Sequence, residues 1–175
     1  MKELLIVDGY NIIFNWESLA EKAQEDMEWA RLELIQILED YAGFSGIDVL
    51  LVFDAYQNPG AERTRETKGP LTIVYTRSDE TADQYIERCV QEHKDAQTDL
   101  RISVATSDGV QQSLVLGMGA TRVPSRELRL MVEAAKGRQR GIIKTVQKRS
   151  AALENRVDKG VFDKLERIRR GTERD

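Results

Sequence analysis

Cysteine is almost absent from this chain. Cys89 is the only one, so no disulfide can form within the molecule. The cytosol is the expected setting, with Cys89 as a small buried thiol on a helix. Histidine is equally scarce: His93 stands alone in a polar helical stretch and reads as a surface residue. That scarcity argues against a zinc site built on histidines and against a ribonuclease working with a histidine pair. No apolar run approaches the roughly 20 residues of a membrane span. Leu4 opens a strand so early that no secretory signal is expected before it. Neither G-x-x-x-x-G-K-[ST] nor G-x-G-x-x-G occurs, which removes support for P-loop and dinucleotide sites. A nucleophilic serine elbow of the G-x-S-x-G kind is missing too, and no internal repeat is visible.

What the chain has is strands alternating with helices. Leu4 to Asp8 is apolar throughout, as a strand buried on both faces should be. Leu19, Ala23, Met27, Ala30, Leu34, Ile37, Leu38 and Tyr41 keep helical spacing and predict one helix over 17–41, ended by Gly43 and Gly46. Val49 to Asp54 is a second strand, Leu71 to Thr76 a third and Leu100 to Ala105 a fourth; Ala120 to Val123 is a short fifth. The polar stretch 55–70, with Asn58-Pro59-Gly60, reads as a long loop. Thr81 and Gln84 fit a capping box for a helix through Tyr85, Ile86, Cys89 and Val90. Another helix follows Ser107-Asp108-Gly109, and Ser125 caps one through Leu128, Met131, Val132 and Ala135. The expectation is an α/β fold with a parallel sheet covered on both faces.

Charge divides the chain. From Lys136 onward there are 13 Lys/Arg against 6 Asp/Glu, a balance of +7; the rest carries 13 against 24, a balance of -11. Two regions are therefore expected: a body over 1–135, and a basic C-terminal extension over 136–175 that breaks at Gly141 and ends in a short helix over 162–170. A basic arm suits a polyanion.

The acids of the body point to chemistry. Four strands run into carboxylates: Val7 into Asp8, Phe53 into Asp54, Thr76 into Asp79, Glu80 and Asp83, and Ala105 into Thr106-Ser107-Asp108. In a parallel sheet those ends share the edge where ligands of open α/β sheets bind. Clustered carboxylates repel each other unless a cation sits among them, and Mg²⁺ or Mn²⁺ take such oxygen ligands and bind phosphate alongside. One or two such ions would activate water.

Asp8 is the strongest candidate ligand, with Gly9 allowing a tight turn and Asn11 offering a carbonyl or an amide N–H. Its structural alternative is a turn cap. Glu80, Asp83 and Glu87 fall on one helix face, where a solvated charged surface competes with a metal site. Ala82, Ile86, Cys89 and Val90 place Asp83 at the edge of the buried stripe, which favours it. Asp108 is the third ligand or an N-cap; Thr106 and Ser107 would support it. Asp54 is weaker. Arg63, Arg65 and Lys68 could hold a phosphate backbone, as could Lys144, Lys148 and Arg149 in the extension. Tyr10, Tyr56 and Tyr85 could stack on bases, though packing explains each; Trp16 and Trp29 are expected to pack at the first helix.

Val7-Asp8-Gly9-Tyr10-Asn11-Ile12, Val52-Phe53-Asp54, Thr81-Ala82-Asp83-Gln84-Tyr85-Ile86-Glu87 and Ala105-Thr106-Ser107-Asp108, in that order, resemble the NYN-domain nucleases of the PIN-like superfamily, of the YacP type. The likeness covers about residues 2–135, and Leu165 to Gly171 resembles the tail of YacP-type proteins. It implies a PIN-like three-layer α/β/α fold with a basic helical tail, and a divalent-metal endoribonuclease. Asp8, Asp83 and Asp108 match its metal-binding acids, Asn11 its signature asparagine and, less closely, Asp54. It further implies mRNA as substrate and the ribosome, through rRNA, as partner; the acidic body suggests that a larger partner presents the RNA. Rival readings are a non-catalytic RNA- or ribosome-binding module, a small-molecule phosphatase (which would lack a D-x-D nucleophile motif), and a PIN-type toxin.

Overall fold

Six strands form one sheet in this computed structural model, in the order β3-β4-β2-β1-β5-β6. They are β1 (Lys2–Asp8), β2 (Asp48–Phe53), β3 (Thr64–Lys68), β4 (Leu71–Tyr75), β5 (Leu100–Ala105) and β6 (Thr121–Val123). The structure describes residues 2–55, 64–96 and 99–171, and beyond Ala152 the side chains of Val161 and Lys164 only. Every neighbouring pair is parallel except β3 with β4. Alternation along each strand feeds two cores. Leu5, Val7, Leu51, Phe53 and Ile73 pack with α1 (Gly9–Asn15), α3 (Met27–Ser45) and the first turns of α6 (Ser125–Gly171), through Ile12, Leu34, Leu38, Leu128 and Val132. Ile6, Val52, Val74 and Val104 pack on the other face with α4 (Ala82–Asp95) and α5 (Gly109–Gly117), through Ile86, Val90 and Val115. The result is an α/β/α sandwich with a central, mostly parallel sheet.

Where elements differ from expectation, a local cause is visible. The helix expected over 17–41 is two, α2 (Glu17–Glu25) and α3, parted at Asp26. Asp26 is extended, at φ -154°, and its carboxylate accepts from the Glu28 N–H at 2.8 Å. Apolar periodicity does not register a one-residue cap between two helices. Gly46, at φ 69°, ends α3 in the left-handed conformation, whereas Gly43 lies inside it.

The stretch read as a loop holds β3, which turns back through Gly69 (φ 55°) to pair with β4. Its Thr-Arg-Glu-Thr-Lys sequence has no apolar alternation because it is a charged, solvent-facing edge strand. Trp16 is buried as expected, but Trp29 is 66% exposed. His93 is half-buried, its Nδ1 2.7 Å from the Cys89 carbonyl. Cys89 is buried on α4, and burial pushes its thiol up.

Backbone contacts divide the chain into Met1–Ala135 and Lys136–Asp175. The second unit was expected to break at Gly141 and end in a short helix. Instead α6 is continuous through Gly137, Gly141 and Gly160. An isolated glycine costs a helix about 1 kcal/mol relative to Ala without breaking it. Residues 137–152 are all exposed, so no packing demands a bend there. No helix among the described residues is long and apolar enough to cross a membrane.

Candidate functional site

β1 is the hinge of the topology. The chain leaves it for β2 and β4 on one side, then crosses to β5 and β6 on the other. The C-terminal ends of β1 and β5 therefore flank the switch point, where open α/β sheets bind ligands. Asp8 is the last residue of β1, paired with Val52 of β2. Its carboxylate caps α1, accepting from the Asn11 N–H at 3.3 Å. Asp54 follows β2 and accepts from the Ala82 N–H at 3.3 Å, which ties β2 to the start of α4. The capping box opening α4 is present: Gln84 N–H to Thr81 at 3.2 Å, Thr81 N–H to Gln84 at 3.0 Å. It fixes the turn carrying Asp83, a half-buried acid. Asp108, just beyond β5, caps α5 through the Val110 and Gln111 N–H groups at 2.8 and 3.2 Å.

These four acids share one field. Burial pushes the Asp8 carboxyl up from 3.8 to about 6, helped by the charges of Asp83, Asp54 and Asp108 and opposed by the Asn11 N–H. Asp83 is also raised, first by burial and then by Asp108 and Asp54. Capping alone does not account for Asp8. Asn or Ser would cap α1 as well, without the cost of a half-buried charge among like charges. Glu80 stands apart: its carboxylate pairs with Arg88, which lies over the Tyr85 ring. Among the described residues, no group of three or more Asp, Glu, His or Cys side chains is placed to hold a metal ion.

Asn11 works differently from expectation. Its Oδ1 is occupied by the Ser107 N–H at 2.7 Å, a bond that reaches across the switch point. Oδ1 also accepts from Asn15 Nδ2 at 3.5 Å, which takes up its second lone pair and leaves the amide N–H groups to offer a ligand. The β5–α5 loop is held further by Thr106 Oγ1, which accepts from the Asp108 N–H at 3.1 Å, and by the Ser107 and Ser125 hydroxyls, 2.6 Å apart. Ser125 begins α6 with that contact, and its carbonyl accepts from Trp16 Nε1 at 2.9 Å. Asn11→Ala should lower the activity of this site about tenfold while costing about 1 kcal/mol of stability, the usual worth of one such bond. Thermal unfolding and turnover of the same preparation check this; unchanged turnover would leave Asn11 a purely structural tie.

Gly9 also has a role other than a turn. It is helical, and an added Cβ would lie 2.4 Å from the Phe53 ring. Tyr10 is a packing residue: its hydroxyl accepts from Arg31 at 2.9 Å and its ring meets Phe53 edge-on at 5.2 Å. Tyr85 is buried, and Tyr56 lies outside the described residues. The basic residues expected beside the acids are dispersed. Arg63 lies outside the described residues. Arg65 pairs with Val74 near the acidic edge, but Lys68 pairs with Leu71, where β4 begins, at the opposite edge. The antiparallel hairpin, invisible in the sequence, carries Lys68 away. Lys144, Lys148 and Arg149 are exposed on α6. One polar side chain at the site gave no sequence signal. Gln111, in the first turn of α5, is 3% exposed and neither atom of its carboxamide has a partner.

The protein known as YacP in Bacillus subtilis, itself uncharacterized by name, is 34% identical over 169 residues, covering 97% of this chain and 98% of that protein. The crystal structure of Rae1 (YacP) from Bacillus subtilis superposes with a TM-score of 0.71 at 34% identity, over 97% of this chain and 95% of that one. A tryptophan-to-leucine variant of the same protein gives 0.66 over 82% of each chain. The family model described as the YacP-like NYN domain matches residues 5–170, and the chain belongs to that family.

Proposed function

We propose that this chain is a divalent-metal-dependent endoribonuclease that cleaves mRNA in association with the translating ribosome. Its family carries a nuclease-like, RNA-related function. The observation that carries the finer reading is the convergence of Asp8, Asp54, Asp83 and Asp108 at the switch-point edge, close enough that burial and mutual charge raise Asp8 to about 6. Carboxylates and carboxamides are the oxygen donors that Mg²⁺ or Mn²⁺ prefer. Mg²⁺ is commonly held by one or two carboxylates and keeps several waters, so it does not require three protein ligands. When bound, the ion would polarise the phosphate and lower the pKa of an attacking water.

Asp8 and Asp83 would hold the ion from β1 and α4, with Asp108 adding its charge from the far side of the switch point. Asn11 would donate an amide N–H to a phosphate oxygen while its carbonyl fixes the Ser107 loop. Asp54 would act at one remove, by setting the start of α4. The exposed basic residues of α6 support a polyanion partner such as rRNA, through contacts that weaken with salt.

The test is an assay on translated and naked mRNA in Mg²⁺, Mn²⁺ or EDTA. Scission is expected with either ion, none in EDTA, and a faster reaction on translated message. Scission in EDTA would remove the metal from the account, and equal rates on both RNAs would remove the ribosome. Because Asp8 and Asp108 both serve as caps, a second reading is a non-catalytic RNA-binding module; RNA retained in EDTA and never cut would establish it.

A further inference from the structure

Among the described residues, Gln111 is the one polar side chain at this edge whose burial its protein neighbours do not explain. It is 3% exposed, and both its Nε2 and its Oε1 are unpartnered. A buried amide left this way costs about 1–3 kcal/mol, a substantial part of the 5–15 kcal/mol that holds a typical domain together. An apolar residue would fill the same space without that cost. The position is defined from two sides. Its own N–H donates to Asp108 Oδ1 at 3.2 Å, which puts it in the turn that carries that acid. Its buried neighbour one turn on, Val115, belongs to the core cluster that holds Ile6 and Val104 of the sheet and Ala82, Tyr85 and Ile86 of α4. Gln111 therefore lies on the face of α5 turned to the sheet and α4, one turn nearer the acidic edge than Val115. Asp83 is adjacent to Ala82 on α4, and Asp8 is two residues beyond Ile6 on β1.

We infer that the Gln111 carboxamide is a positioning group of the acidic crevice: it hydrogen-bonds the hydration shell of a divalent cation held by Asp8 and Asp83, and thereby raises cation affinity. The carboxamide suits this role because it both accepts and donates. It can orient a water without adding a fifth negative charge to the four already there. The inference rests on the cation-dependent reading above, and it adds a residue that the pattern of acids does not contain.

The experiment uses the full-length protein and Mn²⁺ as the probe. Mn²⁺ affinity is measured by calorimetry, and thermal unfolding is followed with and without the ion, for the wild type, Gln111→Met and Gln111→Glu. In EDTA, Gln111→Met should unfold at or above the wild-type temperature, since two unpaired polar atoms are replaced by an apolar chain of similar shape. Its Mn²⁺ affinity should fall about tenfold, the lower range for loss of an outer-shell partner, and its rise in unfolding temperature on adding Mn²⁺ should shrink. Gln111→Glu keeps an acceptor and should bind Mn²⁺ at least as tightly as the wild type. Unchanged Mn²⁺ affinity in Gln111→Met overturns the inference, and a fall in its stability in EDTA would then assign the amide to a structural water. A wild type that does not bind Mn²⁺ would instead sink the cation-dependent reading itself, a result separable from the first.

Discussion

Asp8→Asn is expected to abolish RNA cleavage and, in the absence of metal, to stabilise the protein at pH 7.5. The two effects have one cause. In the folded protein the Asp8 carboxyl titrates near 6, against 3.8 ordinarily, chiefly because burial disfavours its charge. Between those values the folded state holds more protons than the unfolded state. Stability therefore falls as pH rises through that window, and the full cost is present above about 6. At pH 4 the folded form is protonated and the unfolded form only about half ionised, so most of the cost is absent. A two-unit shift corresponds to about 3 kcal/mol. Asp8 retains some solvent access, so screening reduces that to about 1 kcal/mol, or roughly 2–4 °C in unfolding temperature for a chain of this size.

Asparagine caps a helix as well as aspartate and can still accept the Asn11 N–H, so the variant loses only the charge. Turnover should fall by a hundredfold or more, because several kcal/mol of transition-state stabilisation go with the cation that Asp8 holds. Unfolding in EDTA at pH 4 and 7.5, with a cleavage assay in Mn²⁺, checks both halves. Cleavage at the wild-type rate would remove Asp8 from the site. A variant less stable than the wild type at pH 7.5 would show that the carboxylate is there for structure.

Much of this was legible in the sequence, for reasons that also mark where legibility ends. Asp8, Asp54 and Asp108 end apolar runs, so once the strands are parallel their convergence follows. Helix phase favoured Asp83 over Glu80 and Glu87 in the sequence, but Glu80 lies ahead of the N-cap Thr81, outside α4, where it pairs with Arg88. Strand β3 was hidden because an edge strand of Thr, Arg, Glu and Lys buries nothing, so its residues carry no period. With it went the position of Lys68. Gln111 was hidden for the opposite reason. Its burial is imposed by α4 and the sheet, and a glutamine in a helical first turn reads as surface. Asn11 was found, but its carbonyl is committed to a backbone N–H 96 residues away in sequence, which local spacing cannot reveal.

Gly9→Ala makes the same point at the first glycine of the motif, and its expected effect on stability is the largest. In an ordinary helix the change would be favourable by up to about 1 kcal/mol, and no positive φ stands in its way here. Yet a Cβ at this position would lie 2.4 and 2.5 Å from two carbons of the Phe53 ring. The ring cannot retreat. It is fully buried, with Tyr10 edge-on at 5.2 Å and Tyr75 stacked at 5.3 Å. β1 and β2 are fixed in register here, with Asp8 opposite Val52, so relief must come from shifting the start of α1 and the carboxylate of Asp8. Overpacking of this kind costs about 1–3 kcal/mol, and with the helix gain already subtracted the unfolding temperature should drop by roughly 3–10 °C. Cleavage should fall as well, since Asp8 and Asn11 both move.

Phe53→Leu is the control. It shortens the ring that blocks the methyl, so the double variant should be more stable than the sum of the single changes allows, by about 1–2 kcal/mol. Additive losses would mean that Phe53 is not what excludes a side chain at Gly9, and the glycine between the acid and the asparagine would owe its place to something other than this contact.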